Sequence, residues 1–307
     1  MEVSVIIVNY KTPQLCINCI NSVFEKTVGI DFEIILVDND SQDDSLRIIK
    51  EEFGERVTLV DAKGNLGFGK ANNLGAKYTK GEYLFLLNSD TILRNNAIKY
   101  LYDFIKQDST VGIVGGNLFD NDGNPAHSFK YNQFDLSSLK VSGFFRTMWQ
   151  KVSGKTQEWE FNDTKEPVEL NGYITGADLM IKKSIFDEVG GFDSDFFMYF
   201  EESEMTFRVR QLGYKVYSVP EAEIIHLEGA STKGKSFSER RQRMFNESAV
   251  VYFRKVYGEE SIVDCYKVMI SNCSKVAFRN FLQFDFDATK KLRKEKKILK
   301  DELRNYK

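Results

Sequence analysis

Hydrophobic and polar positions in the first 115 residues alternate between two periods. Val3 to Val8 is a short, mostly β-branched run that predicts a strand. Thr12-Pro13 then marks a helix start, with Thr as N-cap and Pro at the first helical position. Cys16, Ile20, Val23 and Phe24 follow at helical spacing. Phe32 to Val37 predicts a second strand, followed by a helix that Ser41 or Asp43 caps and that runs through Phe53. Val57 to Val60 reads as a third strand, Phe68 to Tyr78 as a helix, and Tyr83 to Leu87 as a fully apolar fourth strand. Continuous apolar strands between amphipathic helices are buried on both faces, so the pattern predicts an α/β fold with a mainly parallel, Rossmann-like sheet flanked by helices.

Past Gly115 the pattern weakens. Residues 120 to 170 mix turns, aromatics and charges and carry no assignable period. Order returns at Gly172 to Ile181, then in a helix from Ser184 to Val189 that Gly190-Gly191 ends, a helix from Glu201 to Leu212 stopped by Gly213, and a strand from Lys215 to Val219. Ser238 to Tyr257 and Glu260 to Phe281 predict long helices. The expected organisation is a domain over residues 1–235, with halves at 1–115 and 116–235, and a C-terminal helical extension over 236–307.

Composition adds little to this until charge is mapped. The chain of 307 residues has a net charge of −3, yet residues 288–307 carry nine Lys/Arg against three acidic residues. An acidic body with a basic tail argues against a nucleic-acid binder and for a tail that meets an anionic surface such as a lipid leaflet. No apolar run reaches the ~18–20 residues that span a bilayer, and no signal-type leader opens the sequence, so the expected location is the cytoplasm, peripheral to the inner face of the membrane. The long C-terminal helices offer surface for a homodimer.

Ligands of open α/β sheets bind beyond the carboxyl ends of the strands. Here those ends carry Asn9-Tyr10, Asp38-Asn39-Asp40-Ser41, Gly64-Asn65-Leu66-Gly67-Phe68-Gly69 and Asn88-Ser89-Asp90. A carboxylate closing a buried strand is placed to hold a hard divalent cation against a diphosphate. Gly64 to Lys70 nearly spells a P-loop, but Ala71 replaces the hydroxyl residue that would ligate magnesium; the other reading is a backbone approach to a nucleotide, with Asn65 and Asn72 as hydrogen-bonding side chains. Phe196 to Phe200 leads five apolar residues into Glu201, Glu202 and Glu204, which describes either a favourably charged helix start or a partly desolvated general base. Glu204 precedes Arg208 by four residues and is expected to pair with it. His226 follows a strand-like run, and Cys16 and Cys19, without a second nearby pair, read as buried thiols.

Together these segments resemble a family 2 glycosyltransferase of the GT-A fold, in its rhamnosyltransferase-like branch, over roughly residues 3–257. The resemblance rests on Val5 to Tyr10, Val37 to Ser41, Asn65 to Gly69 with Asn72, Leu87 to Asp90, Gly176-Ala177-Asp178, Gly190 to Asp193 and Phe197 to Glu202. It implies that Asn9, Tyr10, Asp38, Asn39, Asn65, Gly67, Phe68, Asn72, Asn88, Ser89 and Asp178 bind a nucleotide sugar, with Asp38 on the base. It implies that Asp90 and His226 hold Mn2+ or Mg2+, and that Glu202, or its neighbour Glu201, is the base of an inverting transfer to a glycan or lipid-linked glycan. The chain departs from the family pattern in having Glu-Glu where that pattern has Glu-Asp, and Asn88 in place of the first Asp of D-x-D. Two other classes remain open on sequence: a P-loop phosphotransferase that depends on Lys70, and a silent nucleotide-sugar-binding scaffold.

Overall fold

A computed structural model describes residues 1–140, 160–227, 239–283 and 285–306. The described chain divides into two compact units, Met1–Gln133 with Trp159–Lys233 and Phe134–Glu158 with Gly234–Lys307. The second unit thus takes in a segment from the middle of the chain. The boundary expected at 235/236 lies outside the described residues, as does much of the patternless stretch, residues 141–159.

In the first unit the chain runs β1 (Val3–Asn9), α1 (Pro13–Lys26), β2 (Phe32–Asp38), α2 (Ser45–Phe53), β3 (Val57–Asp61), α3 (Phe68–Ala76), β4 (Tyr83–Asn88), β5 (Thr91–Leu93), α4 (Ala97–Ile105) and β6 (Val111–Phe119). It continues through β7 (Phe129–Lys130), β8 (Val168–Glu169), β9 (Tyr173–Ile174), β10 (Asp178–Lys182), α5 (Lys183–Glu188), α6 (Glu201–Gln211) and β11 (Lys215–His226). The sheet order is β3-β2-β1-β4-β10-β6-β11-β5, with β8 beside β11 and a separate β7-β9 pair. The run β3-β2-β1-β4 is parallel, as is β6 with β11. Strand β10 enters between β4 and β6 antiparallel to both.

Alternation along each strand feeds two apolar layers. Val3, Val5 and Ile7 face one way with Ile34, Leu36, Phe85 and Leu87, and pack on α1, α2 and α4. Ile6, Ile35, Val37, Leu84 and Leu86 face the other way and pack on α3, α5 and α6. Burial on both faces is why these strands carry no polar alternation.

Several elements differ from the sequence expectation. Helix α4 and strand β6 went unread, although Ile98, Leu101 and Ile105 recur at helical spacing. Strand β11 runs the full twelve residues to His226, with an irregularity between Ser218 and Glu223 that hid its continuity. Helix α2 starts at Ser45, whose N–H donates to Asp43 Oδ1 at 2.9 Å, while Asp44 just before it makes no side-chain capping bond. Helix α1 starts as expected, with Thr12 at the N-cap and Pro13 first in the helix, but the Thr12 side chain makes no capping bond; its backbone N–H and hydroxyl both donate to Asn9 Oδ1.

The second unit holds helices α7 (Glu239–Tyr257), α8 (Ser261–Leu282) and α9 (Phe286–Tyr306). Phe134, Tyr252, Phe253 and Tyr257 form an aromatic cluster, and the buried Asn246 amide donates to Glu295 Oε1 at 2.8 Å. Among the described residues no helix is long and apolar enough to cross a membrane.

Candidate active site

The carboxyl ends of β1, β2, β3 and β4 meet on one rim because the parallel register pairs Asn9 with Asp38, Asp38 with Asp61 and Val8 with Asn88. Asn9 and Asp38 are buried, and their side chains bond at 2.6 Å. Ser41 closes the group: its hydroxyl donates to Asp38 Oδ1 at 2.6 Å, accepts from Asn9 Nδ2 at 3.0 Å and accepts from the Lys11 N–H at 2.9 Å. Asp38 is thus held in one rotamer at the mouth of the sheet. Asn9 is spent on that task and on Thr12 and Cys16, so it orients the rim from beneath. Tyr10 is 43% exposed, with Lys11 Nζ 5.4 Å from its ring centroid, and offers an aromatic face at the same edge.

The loop before α3 is held by side chains on both flanks. Asn39 Oδ1 accepts from the Leu66 N–H at 2.8 Å, Asn65 Oδ1 accepts from the Gly67 N–H at 3.1 Å, and Phe197 O accepts from the Phe68 N–H at 3.1 Å. Three successive amides, those of Leu66, Gly67 and Phe68, are therefore engaged within the protein and are not offered to a phosphate. Asn72 is buried and donates back to Phe68 O within its own helix, which ties it to the loop.

Gly67 has φ +82°, and a Cβ there would stand 2.1 Å from Phe197 O. A Gly67→Ala variant is expected to lose about 3 kcal/mol of stability, from the left-handed backbone and the displaced loop together. Urea unfolding checks this; a loss under about 0.5 kcal/mol, the range of ordinary surface changes, would contradict the packing.

At the far side of the rim, β5 pairs with β11 in a register that sets Thr91 opposite His226, and the Leu227 N–H donates to Asp90 O at 2.8 Å. This antiparallel pairing brings Asp90 Oδ1 to 3.3 Å from His226 Nε2, both side chains partly exposed. A carboxylate oxygen and an imidazole nitrogen this close, reachable by solvent, fit a divalent cation. Among the described residues no group of three or more His, Cys, Asp or Glu side chains is placed to hold a metal ion. Asn88 and Ser89 border the pair: the Asn88 N–H donates to Ala177 O at 3.0 Å, and the Cys16 thiol lies against Ser89. Cys16 and Cys19 are buried free thiols, as expected, pushed up by burial, Cys19 to about 12.

Glu201 and Glu202 open α6. The two residues before them, Tyr199 and Phe200, have φ of +76° and +69°. Positive φ on consecutive aromatic residues costs energy and persists where surrounding structure imposes it, commonly at functional sites. Phe200 is buried, and the next turns are held by Glu204, which takes both Arg208 contacts at 2.8 Å as its spacing predicts. Arg208 also donates to Val189 O and Gly191 O, tying α6 to the turn after α5.

Burial raises the Glu202 carboxyl to about 7, the region in which a general base works at neutral pH. Glu201 is more deeply buried, its Oε2 has no hydrogen-bond partner among the described residues, and burial followed by the charge of Glu202 holds it well above the usual carboxylate range. The pair thus keeps Glu201 neutral beside an ionisable Glu202. Because Glu201 is protonated in the fold but ionises near 4.5 when unfolded, the folded state binds the extra proton and stability falls as pH rises above that value. Glu201→Gln is therefore expected to melt higher than the parent at pH 8, by a margin that shrinks toward pH 5. A pH-independent margin, or a lower melting temperature at pH 8, would contradict it.

Two short links join these groups. A Cβ on Gly176 would lie 3.3 Å from the Phe68 ring and 4.0 Å from Glu202 Cγ, so the nucleotide-side loop, the segment before β10 and the base candidate meet at one point. The next residue, Ala177, accepts from Asn88, two positions before Asp90. Asp178 does not join them. It is fully buried in β10, takes the Gly116 N–H at 2.6 Å, and burial raises its carboxyl. Through that bond it braces β6 from inside the sheet, while its Oδ1 has no hydrogen-bond partner among the described residues.

Several contributors went unread in the sequence. Asn73, not its neighbour Asn72, clamps Phe192: its amide donates to Phe192 O at 2.7 Å and its carbonyl accepts from the Phe192 N–H at 2.9 Å. The main chain of Phe197 and the strained Tyr199-Phe200 pair act through backbone, which composition does not register. Tyr173 is buried beside Glu202, and burial and then that carboxylate's charge push its phenol up.

The model of the family described as Glycosyl transferase family 2 matches residues 4–192. Among curated relatives, the chain is 27% identical over 192 residues to glycosyltransferase GlyG of Streptococcus pneumoniae, covering 61% of this chain and 58% of that one. It is 25% identical over 231 residues to the low-salt glycan biosynthesis hexosyltransferase Agl10 of Haloferax volcanii, covering 73% and 67%. It is 26% identical over 215 residues to an N-acetylglucosaminyl-diphospho-decaprenol L-rhamnosyltransferase of Mycobacterium tuberculosis, covering 65% and 67%. The structure is similar to GalNAc-T7 solved with UDP, GalNAc and Mn2+, at TM-score 0.58 and 20% identity over 85% of this chain and 50% of that one. Staphylococcus aureus TarS 1–349 with UDP matches at TM-score 0.53 and 14% identity, over 92% and 74%. These likenesses show the GT-A fold.

Proposed function

Because the chain belongs to glycosyl transferase family 2, we propose that it moves a sugar from a nucleoside diphosphate to a hydroxyl of a glycan acceptor, with inversion, in polysaccharide synthesis. The observation that carries this reading is the meeting of Phe68, Gly176 and Glu202, one hydrogen-bonded step from the strand end that bears Asp90. The base of the donor sits against Asp38 and Tyr10, and its diphosphate lies toward Asp90 and His226. The donor is dTDP-rhamnose or a UDP-hexose, a choice supported by the rhamnosyltransferase relative and the UDP-bound neighbours.

Asp90 and His226 would hold Mn2+ or Mg2+, which when bound offsets the negative charge of the diphosphate. Glu202 accepts the proton of the acceptor hydroxyl; the oxygen forms its bond to the anomeric carbon from the face opposite the departing diphosphate, which leaves with the bond's electron pair. Glu201, kept neutral, leaves Glu202 as the one anionic carboxylate of the pair before it takes the proton. Tyr199 and Phe200, held at positive φ, fix the direction in which the helix start presents Glu202.

The acceptor is a glycan at an anionic lipid surface, on the cytoplasmic side, a reading that the basic segment 288–307 supports. Release of nucleoside diphosphate from a panel of nucleotide sugars with manganese and lipid-linked acceptors tests the function. Sugar-nucleotide turnover is the expected result. ATP-only turnover, or donor binding without turnover under every acceptor, would replace it with a phosphotransferase or a silent scaffold.

A further inference from the structure

The described residues include three exposed phenylalanines, and all three fall around one turn: Phe278 at 57%, Phe281 at 48% and Phe286 at 58%, with Leu282 at 42%. Phe278 and Leu282 sit four residues apart near the end of α8, and Phe286 opens α9, its ring 5.9 Å from that of Phe281. Elsewhere the same two helices bury their apolar residues, as Met269, Cys273 and Ala277 on α8 and Leu292 and Leu299 on α9 show. Apolar side chains therefore pack along the helices and, apart from Tyr306 at 37%, the large ones left in water gather at the turn.

The charge pattern on α9 says what meets them. Phe286, Lys290, Arg293, Lys297, Lys300 and Arg304 follow at spacings of four, three, four, three and four, which is one helical stripe. All six are exposed, while Thr289, Leu292, Glu295 and Leu299 are buried. Lys290, Arg293, Lys297 and Lys300 form no ion pair among the described residues, so their charge is not neutralised within the protein. Arg304 pairs with the exposed Asp301. Asp285 and Asp287 stand at the turn itself, and Asp285 accepts from the Ala288 N–H at 2.9 Å, which occupies it as a cap.

We propose that the α8–α9 turn is a membrane-docking element, in which Phe278, Phe281, Leu282 and Phe286 enter the interfacial layer of an anionic bilayer and the Lys290–Lys300 stripe lies on its headgroups. Aromatic tips with flanking basic residues suit that layer, where an apolar body and a charged border are both satisfied. A second protein copy fits less well. Four half-exposed side chains offer about 400 Å², against the ~800 Å² per partner of a stable interface, and a self-contact would bring the uncompensated basic stripes of two copies together. The proposal deepens the lipid-surface reading of the acceptor by naming the element that meets the surface, and its test reads vesicle binding, not turnover.

The experiment is co-sedimentation of the full chain with phosphatidylcholine vesicles, with and without 30% phosphatidylserine. The parent is expected to bind the anionic vesicles and to release from them in high salt. Lys290→Glu/Arg293→Glu/Lys297→Glu is expected to weaken that binding by about 100-fold or more, at about fivefold per lost charge. Phe278→Ser/Phe281→Ser/Phe286→Ser is expected to lose binding while keeping the circular dichroism and donor turnover of the parent. As a check that does not remove the patch, Phe286→Trp emission should be quenched by brominated lipid beyond the parent's own signal. Equal binding by parent and both triple variants, no quenching at position 286, or a parent dimer that the serine variant converts to monomer would overturn the proposal.

Discussion

Glu202→Gln is expected to keep its affinity for the donor nucleotide and to lose turnover by about 10²- to 10⁴-fold, the contribution of a positioned general base. Glutamine preserves the size and hydrogen bonding of the side chain but cannot take the acceptor proton. The carboxyl of Glu202 is raised to about 7 by burial at the start of α6, so only above that pH is most of it in the basic form. For the parent, kcat/KM should therefore climb about tenfold per pH unit below 7 and level off above it. In the Gln variant the rate should be low and that limb absent. Steady-state kinetics across pH 5 to 9, with nucleotide affinity measured by calorimetry, make the check. Near-parent turnover by the variant, or a limb that survives it, would remove Glu202 from the role.

Asp90→Ala is expected to strike donor binding first. Its carboxylate lies beside His226 at the end of β4, and the pair is the donor set on the rim suited to a cation against a diphosphate. Removing the anionic partner of a divalent ion costs about 2–4 kcal/mol, or roughly 30- to 800-fold in metal-dependent nucleotide affinity. Metal-independent affinity, which depends on Asp38, Tyr10 and the loop at 65–68, should change little. Titration of nucleoside diphosphate with and without manganese separates the two. An unchanged manganese-dependent affinity would show that Asp90 holds no ion.

The parallel half of the fold was legible because β1, β2 and β4 are buried on both faces and carry that burial as unbroken apolar runs. The rim was legible for the same reason: polar residues directly after such runs must sit at strand ends, and Asp38, Asn39 and Asp90 do. The convergence of Asp90 with His226 was not carried by any local pattern. It depends on β11 pairing antiparallel with β5, with His226 opposite Thr91 and Leu227 bonded to Asp90, a register no short window contains. Asn9, Asn72 and Asp178 show the opposite limit. A polar residue at a strand end or in a glycine-rich loop has the same appearance whether it faces a ligand or holds the backbone that does, and Asn9, Asp38 and Asn72 are all buried with side-chain hydrogen bonds that hold the rim. Asp178, buried in β10, joins them. The clamp made by Asn73 and the positive φ of Tyr199 and Phe200 left no trace in residue type, since neither an Asn nor an aromatic pair advertises the main-chain geometry imposed on it.

The central claim is that the Asp90–His226 pair and Glu202 serve one substrate along a common rim. Anomalous diffraction from crystals grown with manganese and a nucleoside diphosphate tests it most directly. The account predicts a manganese peak between Asp90 and His226, with the diphosphate bound to it and its free end directed toward Glu202. A peak held by other residues, or a diphosphate that points away from the start of α6, would contradict it.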